Sequence, residues 1–195
     1  VLKQVIAATN NAGKLREFQA ILAPIGFTVV SMKEAGVAAD PDETGTTFAE
    51  NAKIKAQAVA ELAGLPALAD DSGLCVDALG GAPGIYTARF GGDIPQTEKN
   101  ALLLRTLAET GSADRSARFV SAICLAYPDG SCVEAEGTCE GSILLEAAGT
   151  NGFGYDPIFA DQWGRSFGEL PAEEKNRISH RAAALAALAE KLRML

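Results

Sequence analysis

The residues best suited to hold a hard cation in this chain lie in Leu68-Ala-Asp-Asp-Ser-Gly73, where an apolar run meets two adjacent carboxylates and a hydroxyl. Acidic oxygens where a strand ends, at a sheet edge, could bridge Mg²⁺ to a phosphate, with Asp70, Asp71 and Ser72 as the candidate groups. The plainer use of the same residues is a turn, which Asp, Ser and Gly all favour. A second candidate is Thr9-Asn-Asn-Ala-Gly-Lys14, between a β-favouring run and helically spaced residues. Such a junction offers backbone N–H groups and the positive end of a helix dipole to an anion, and Lys14 adds a formal charge. It departs from the GxxxxGK[ST] phosphate loop, and a simple βα turn capped by Asn would look the same. In Gly149-Thr-Asn-Gly-Phe-Gly-Tyr-Asp-Pro-Ile-Phe159, glycines hold Phe153 and Tyr155, and an aromatic so held can stack on a purine.

Further polar groups fall where they could join these. Glu43 closes a loop and could reach a metal held by the aspartates, although a solvated Glu is the commoner case. Asn51 and Lys55 are four residues apart and share one flank of a helix. His180 and Arg181 fall in the first turn of the last helix, a position suited to anions. Arg89 could clamp a phosphate or brace a carboxylate.

Several elements must position these groups. Gln4–Ala8 reads as a strand and Leu15–Leu22 as a helix, with a second strand over Phe27–Ser31 and a loop over Met32–Gly45. Thr47 and Glu50 form a capping box that opens a helix to about Ala63, with Phe48, Ala52, Ala56, Val59, Ala60 and Ala63 inward. Pro95 starts an amphipathic helix ending at Gly111. Strands are predicted over 116–127, 131–136 and 138–146, with Pro128-Asp-Gly130 as the hairpin turn. Ser179 is a good cap for a last helix whose Leu185, Leu188, Leu192 and Leu195 form a core face or a dimer seam.

The chain of 195 residues suits one sizeable domain. A formal charge of −8 argues against nucleic acid or an anionic membrane as partner, so an anionic ligand needs local cations to bind. Four cysteines without a CxxC pair, and a single histidine, argue against a zinc site and for free thiols in a reducing, cytoplasmic setting. No apolar run is long enough to cross a bilayer, and Val1–Ala8 reads as a strand and not as a secretory leader.

Together, Thr9–Lys14, Gly45-Thr-Thr-Phe-Ala-Glu-Asn-Ala52, Ala69-Asp-Asp-Ser-Gly73, Gly152-Phe-Gly-Tyr-Asp-Pro157 and Ile178-Ser-His-Arg181 resemble the inosine triphosphate pyrophosphatase family, nearest to its bacterial members that act on dITP and XTP. The resemblance covers essentially the whole chain. It implies an α/β fold with a mixed, elongated central sheet flanked by helices, one domain (1–195) of two lobes with a deep nucleotide-binding groove, usually as a homodimer. It also implies Mg²⁺-dependent conversion of ITP, dITP and XTP to the monophosphate and pyrophosphate. By position, Thr9, Asn10, Asn11, Ala12, Gly13 and Lys14 would hold the triphosphate. Asp71 would be metal ligand and proton acceptor, and Glu43 would join it on the metal. Asp70 would be either a second metal contact or a support for a cation behind it. Ser72, Phe153, Gly154, Tyr155, Asp156, Lys175, His180 and Arg181 would contact the substrate. Asn51 and Lys55, by their spacing alone, could face the same cleft and bind substrate from their helix. Thr87 stands where the family often has Ser.

The chemistry agrees with such roles. Cleaving the α–β phosphoanhydride needs a positioned water and neutralised phosphate oxygens. A donor facing the 6-oxo group of hypoxanthine or xanthine would be left unmatched by adenine, at a cost of about 1–3 kcal/mol. Two other readings fit the same residues: a pyrophosphatase for modified pyrimidine triphosphates, and a purine-nucleotide sensor without catalysis.

Overall fold

Along two strands in the middle of the chain, at 67–69 and 122–126, large and small apolar residues alternate, and this alternation decides how helices layer on the sheet. A computed structural model describes residues 3–194. In chain order the main elements are β1 (Lys3–Ala7), α1 (Ala12–Leu22), β2 (Phe27–Ser31), α2 (Phe48–Ala63) and β3 (Ala67–Val76). There follow α3 (Gln96–Glu109), β4 (Ser116–Ala126), β5 (Cys132–Ile143), β6 (Phe159–Asp161), α4 (Ala172–Ile178) and α5 (His180–Arg193). The six strands form one sheet in the order β2-β1-β3-β4-β5-β6. β1 runs parallel to β2 and β3, while β5 and β6 are antiparallel, so the sheet is mixed, as expected.

Two compact units divide the chain. The first comprises residues up to Asp71, Ser121–Gly137 and those from Arg181 on; the second comprises Ser72–Val120 and Thr138–His180.

In the first unit, Val5, Ala7, Leu68, Ile123 and Leu125 pack with Phe18 and Leu22 of α1 and with Ala184, Leu185 and Leu188 of α5. Their neighbours Ile6, Ala67, Ala69, Ala122, Cys124 and Ala126 turn to the opposite face and meet Ala52, Ala56, Val59 and Ala60 of α2. Successive side chains of a strand point to opposite faces, so this is the period of two, written in residue size along β3 and β4. Alanine against alanine lets α2 lie close to the sheet. Leu185 and Leu188 are buried in this core, which settles the leucine face of α5 as core at those positions; Leu195 lies outside the described residues.

The second unit has its own core. Phe119 meets Phe159 with ring centroids 4.5 Å apart, and Phe159 meets Phe167 edge-on at 5.0 Å. Leu74, Leu103, Leu107, Tyr155 and Ile158 complete it.

Two sequence expectations require correction, and two elements, β6 and α4, carried no expectation. The strand expected to end at Asp70-Asp71 continues as β3 to Val76, in the interior of the sheet and not at an edge. Leu74, Cys75 and Val76 favour extended backbone, and sheet pairing outweighs the turn preference of Asp-Ser-Gly. The two strands expected over 131–136 and 138–146 are one strand, β5, passing straight through Gly137. Alternating burial of Ala135, Gly137 and Cys139 shows a single period of two across that glycine. β6, only three residues long, carried no pattern to be read. A separate helix, α4, precedes Ser179, which follows its last residue. The hairpin turn was read correctly: Tyr127 N–H donates to the Ser131 carbonyl at 2.9 Å, and Gly130 has φ +87°.

Candidate active site

The alternation that layers the first unit also separates the two aspartates. Asp70 shares its face with Leu68, toward α1 and α5, whereas Asp71 shares its face with Ala69, toward α2.

On the α1 and α5 side, Asp70 is a fully engaged carboxylate. Lys14 Nζ lies 2.7 Å from its Oδ1 and Arg181 Nη2 3.2 Å from the same oxygen, while Ser121 Oγ donates to Oδ2 at 2.5 Å. Arg181 also pairs with Glu17, one turn beyond Lys14 on α1. Burial would raise the Asp70 carboxyl, but Arg181 and Lys14 reverse this and hold it well below the usual carboxylate range. Burial works against the Arg181 charge, and Asp70 and Glu17 outweigh it, leaving the guanidinium's pKa raised. For Lys14 burial wins, and its pKa is lowered despite Asp70. Of the two roles open to Asp70, this geometry is that of support for cations. Neither Glu17 nor Ser121 was singled out in the sequence. Glu17 carried a faint signal, three residues after Lys14 on a helix; a serine in an apolar strand carried none.

On the α2 side, Asp71 is 7% exposed. Lys55 Nζ lies 3.6 Å from its Oδ1 and 3.4 Å from Glu43 Oε2, and donates to the Asp70 carbonyl at 2.9 Å. Asp71 Oδ2 is buried with no hydrogen-bond partner among the described residues. Burial pushes the Asp71 carboxyl above its ordinary value, Lys55 and Lys14 oppose this, and Glu43 adds to it. Thr47 Oγ1 caps α2 by accepting from Glu50 N, as expected, while the returning bond goes one residue earlier: Glu50 Oε2 accepts from Thr46 N at 2.6 Å and from Thr46 Oγ1 at 3.0 Å. Asn51, buried in the first turn of α2, accepts from Gly45 N at 2.8 Å through Oδ1 and so ties down the loop that carries Glu43.

The βα junction forms where expected, but its donors are used internally. Asn11 Oδ1 accepts from Gly13 N and Lys14 N at 2.9 and 3.1 Å, and Thr9 Oγ1 accepts from Asn11 N. Asn10 and Ala12 are exposed. Asn11 is therefore the helix cap, and Lys14 is the residue of this segment that reaches the acidic cluster.

In the second unit, Ser72 is half-buried on β3. The loop around Phe153 is braced from within. Asp156 Oδ2 accepts from Lys175 Nζ at 2.6 Å and from Phe153 N at 3.0 Å. Tyr155 is buried and donates through its hydroxyl to the Thr87 carbonyl at 2.8 Å, with burial pushing its pKa up to about 12. Tyr155 and Asp156 thus serve the loop's shape in this structure; their side chains point inward because an aromatic body and an ion pair find partners there. Phe153 is half-buried, and Lys175 Nζ lies 4.5 Å from the centroid of its ring. His180 is buried and stacks on Phe119 at 4.7 Å. Arg89 is exposed and lies over the Tyr86 ring.

The order and type of these residues match a known group along nearly the whole chain. The Ham1 family model matches residues 5–191. The chain belongs to the Ham1 family. A dITP/XTP pyrophosphatase of Thermus thermophilus is 49% identical over 188 residues, covering 96% of this Ham1 chain and 90% of the relative. One from Deinococcus radiodurans is also 49% identical over 188 residues, at 96% and 92% coverage. Among solved structures, a HAM1 protein from Coxiella burnetii superposes with a TM-score of 0.88 at 40% identity, covering 99% of this chain and all of that one. The Staphylococcus aureus Ham1 protein gives 0.85 at 38% identity, with 98% of each covered.

The Ham1 site also suits a hard cation. The donor set is all oxygen, and Asp71 Oδ2 is a buried carboxylate oxygen that no hydrogen bond among the described residues satisfies. Mg²⁺ commonly takes one or two protein carboxylates and completes its shell with water and phosphate. Asp71 with Glu43 fits that pattern.

Proposed function

We propose that this chain hydrolyses the non-standard purine nucleoside triphosphates ITP, dITP and XTP to the monophosphate and pyrophosphate, clearing them from the nucleotide pool. The relatives named dITP/XTP pyrophosphatase support the substrate class. The observation that carries the chemistry is Asp71: a buried carboxylate with one unsatisfied oxygen, flanked by Lys55 and Glu43.

In this reading Asp71 orients the attacking water; burial raises its proton affinity, but Mg²⁺ on the same carboxylate would lower it, so its part is positioning more than proton removal. Mg²⁺ held by Asp71 and Glu43 would supply charge neutralisation on the phosphate oxygens and the pyrophosphate leaving group. Lys55 holds the two carboxylates together and limits their mutual repulsion. The Thr9–Lys14 segment binds the triphosphate chiefly through Lys14, which Asp70 holds in place at the start of α1. Phe153 stacks on the base, and Asp156, Tyr155 and Lys175 keep its loop in shape. His180 and Arg181 contact the nucleoside and phosphates in orientations set by Phe119 for the first and by Asp70 and Glu17 for the second.

A homodimer and a cytoplasmic setting complete the proposal. The family resemblance supports the first, and free Cys75, Cys124, Cys132 and Cys139 support a reducing compartment. No helix among the described residues is long and apolar enough to cross a membrane.

The test is pyrophosphate release from dITP, XTP, GTP and dTTP, with Mg²⁺ and with EDTA. Fast release from dITP and XTP that EDTA abolishes is the expected result. Faster turnover of dTTP would move the chain to modified pyrimidines, and binding of dITP without release would make it a sensor.

A further inference from the structure

Cys124 on β4, with Cys132 and Glu134 on β5, brings two sulfurs and a carboxylate oxygen within 4.8 Å of one another. None of the three has a part in the nucleotide chemistry above. Cys132 and Glu134 are two apart on one strand and so share a face, and Cys124 joins them on the side that packs against α2. We propose that these three residues form a binding site for a soft divalent cation of the zinc group.

The geometry suits such an ion. Ligands at about 2.3 Å for sulfur and about 2.0–2.2 Å for oxygen, spread tetrahedrally, stand roughly 3.5–3.8 Å apart. Cys132 Sγ lies 3.6 Å from Glu134 Oε1. Cys124 is fully buried, whereas Cys132 and Glu134 are half-buried, so the cluster has a closed floor and a path to solvent. Three protein ligands leave a fourth position for water. Thiolate ligands select zinc-like ions over Mg²⁺, so this site and the Asp71 site take different metals. Lys53 Nζ, 3.2 Å from Glu134 Oε1, competes for the oxygen, but both side chains are about two-fifths exposed, and an ion pair so exposed is readily displaced. The thiols give up protons as the ion binds, so binding tightens as pH rises.

The test is titration of the full chain, kept reduced with a non-thiol reductant, with CdCl₂ and separately with CoCl₂, reading thiolate-to-metal charge-transfer absorbance. One ion per chain is expected. Cys132→Ser should shrink the band to that of a single thiolate and weaken binding by at least about tenfold, and Glu134→Gln should weaken binding while keeping the two-thiolate band. Lys53→Met should tighten it, and Cys139→Ser should leave it unchanged. Absence of a band in the native chain, or the same band in Cys132→Ser, overturns the proposal. Both deciding positions are half-buried, so the outcome does not depend on whether Cys124→Ser folds. The readout is independent of pyrophosphate release.

Discussion

Asp70 and Asp71 are consecutive residues of β3 whose carboxylates meet different cations. Lys14 and Arg181 lie 2.7 and 3.2 Å from Asp70 Oδ1, whereas Lys55 lies 3.6 Å from Asp71 Oδ1. Asp70 is saturated and its charge is favoured; Asp71 is under-satisfied and its charge is opposed by burial. The same substitution at the two positions should therefore have opposite effects.

Asp71→Asn should cut pyrophosphate release from dITP by at least about a hundredfold, the lower end of what a positioned acid–base group contributes. Its melting temperature should equal or exceed that of the native chain, because a desolvated charge is removed. Melting curves and release rates measured on one preparation check both parts; activity within about tenfold of native would refute the assigned role.

Asp70→Asn should behave in the opposite way. Two buried cations would lose their shared partner, a loss that costs about 3–5 kcal/mol in comparable buried pairs. The depressed Asp70 carboxyl contributes stability that is present above the unfolded value and is lost as pH falls through the folded one. Urea unfolding at a series of acid pH values should show that loss in the native chain and a flatter profile in Asp70→Asn.

At alkaline pH the sign reverses. Burial pushes the Tyr155 hydroxyl up to about 12 and the Cys139 thiol up to about 11, so the fold keeps protons that the unfolded chain releases earlier. Stability then falls as pH rises above the ordinary tyrosine value of 10. Each such group contributes a slope of up to about 1.4 kcal/mol per pH unit. Tyr155→Phe should remove the tyrosine share of that slope while costing about 1 kcal/mol at neutral pH for the lost bond to Thr87. Denaturant melts from neutral pH to pH 11 would show whether the two profiles converge, as expected.

Gly152 and Gly154 flank Phe153 with φ of +70° and +61°. A Cβ on Gly152 would stand 2.1 Å from Asp156 Oδ2, the oxygen that accepts from Lys175 and from Phe153 N, whereas a Cβ on Gly154 would meet open space. Gly154→Ala should cost only backbone strain, about 1–2 kcal/mol. Gly152→Ala should also displace the Phe153 ring and raise KM for dITP severalfold. Equal KM values for the two variants would deny Phe153 its place at the base.

Local pattern was enough to read α1, α2 and its cap, the Pro128–Gly130 hairpin turn and the Phe27–Ser31 strand, because each is set by residues within a few positions of one another. The five quoted motifs likewise carried the family. Where local and non-local forces disagreed, the sequence misled: Asp-Ser-Gly favours a turn, yet interior sheet pairing draws β3 through it, and Gly137 is a residue of a continuous strand. The period of two in a strand is enough to separate Asp70 from Asp71 onto opposite faces. It could not say which cations wait on each face, since Arg181 and Ser121 reach Asp70 from 111 and 51 residues away. Nor could cysteine spacing show that Cys124 meets Glu134 across β4 and β5. Charge partners at that separation are decided by the register of strands and the seating of helices, which only the tertiary structure supplies.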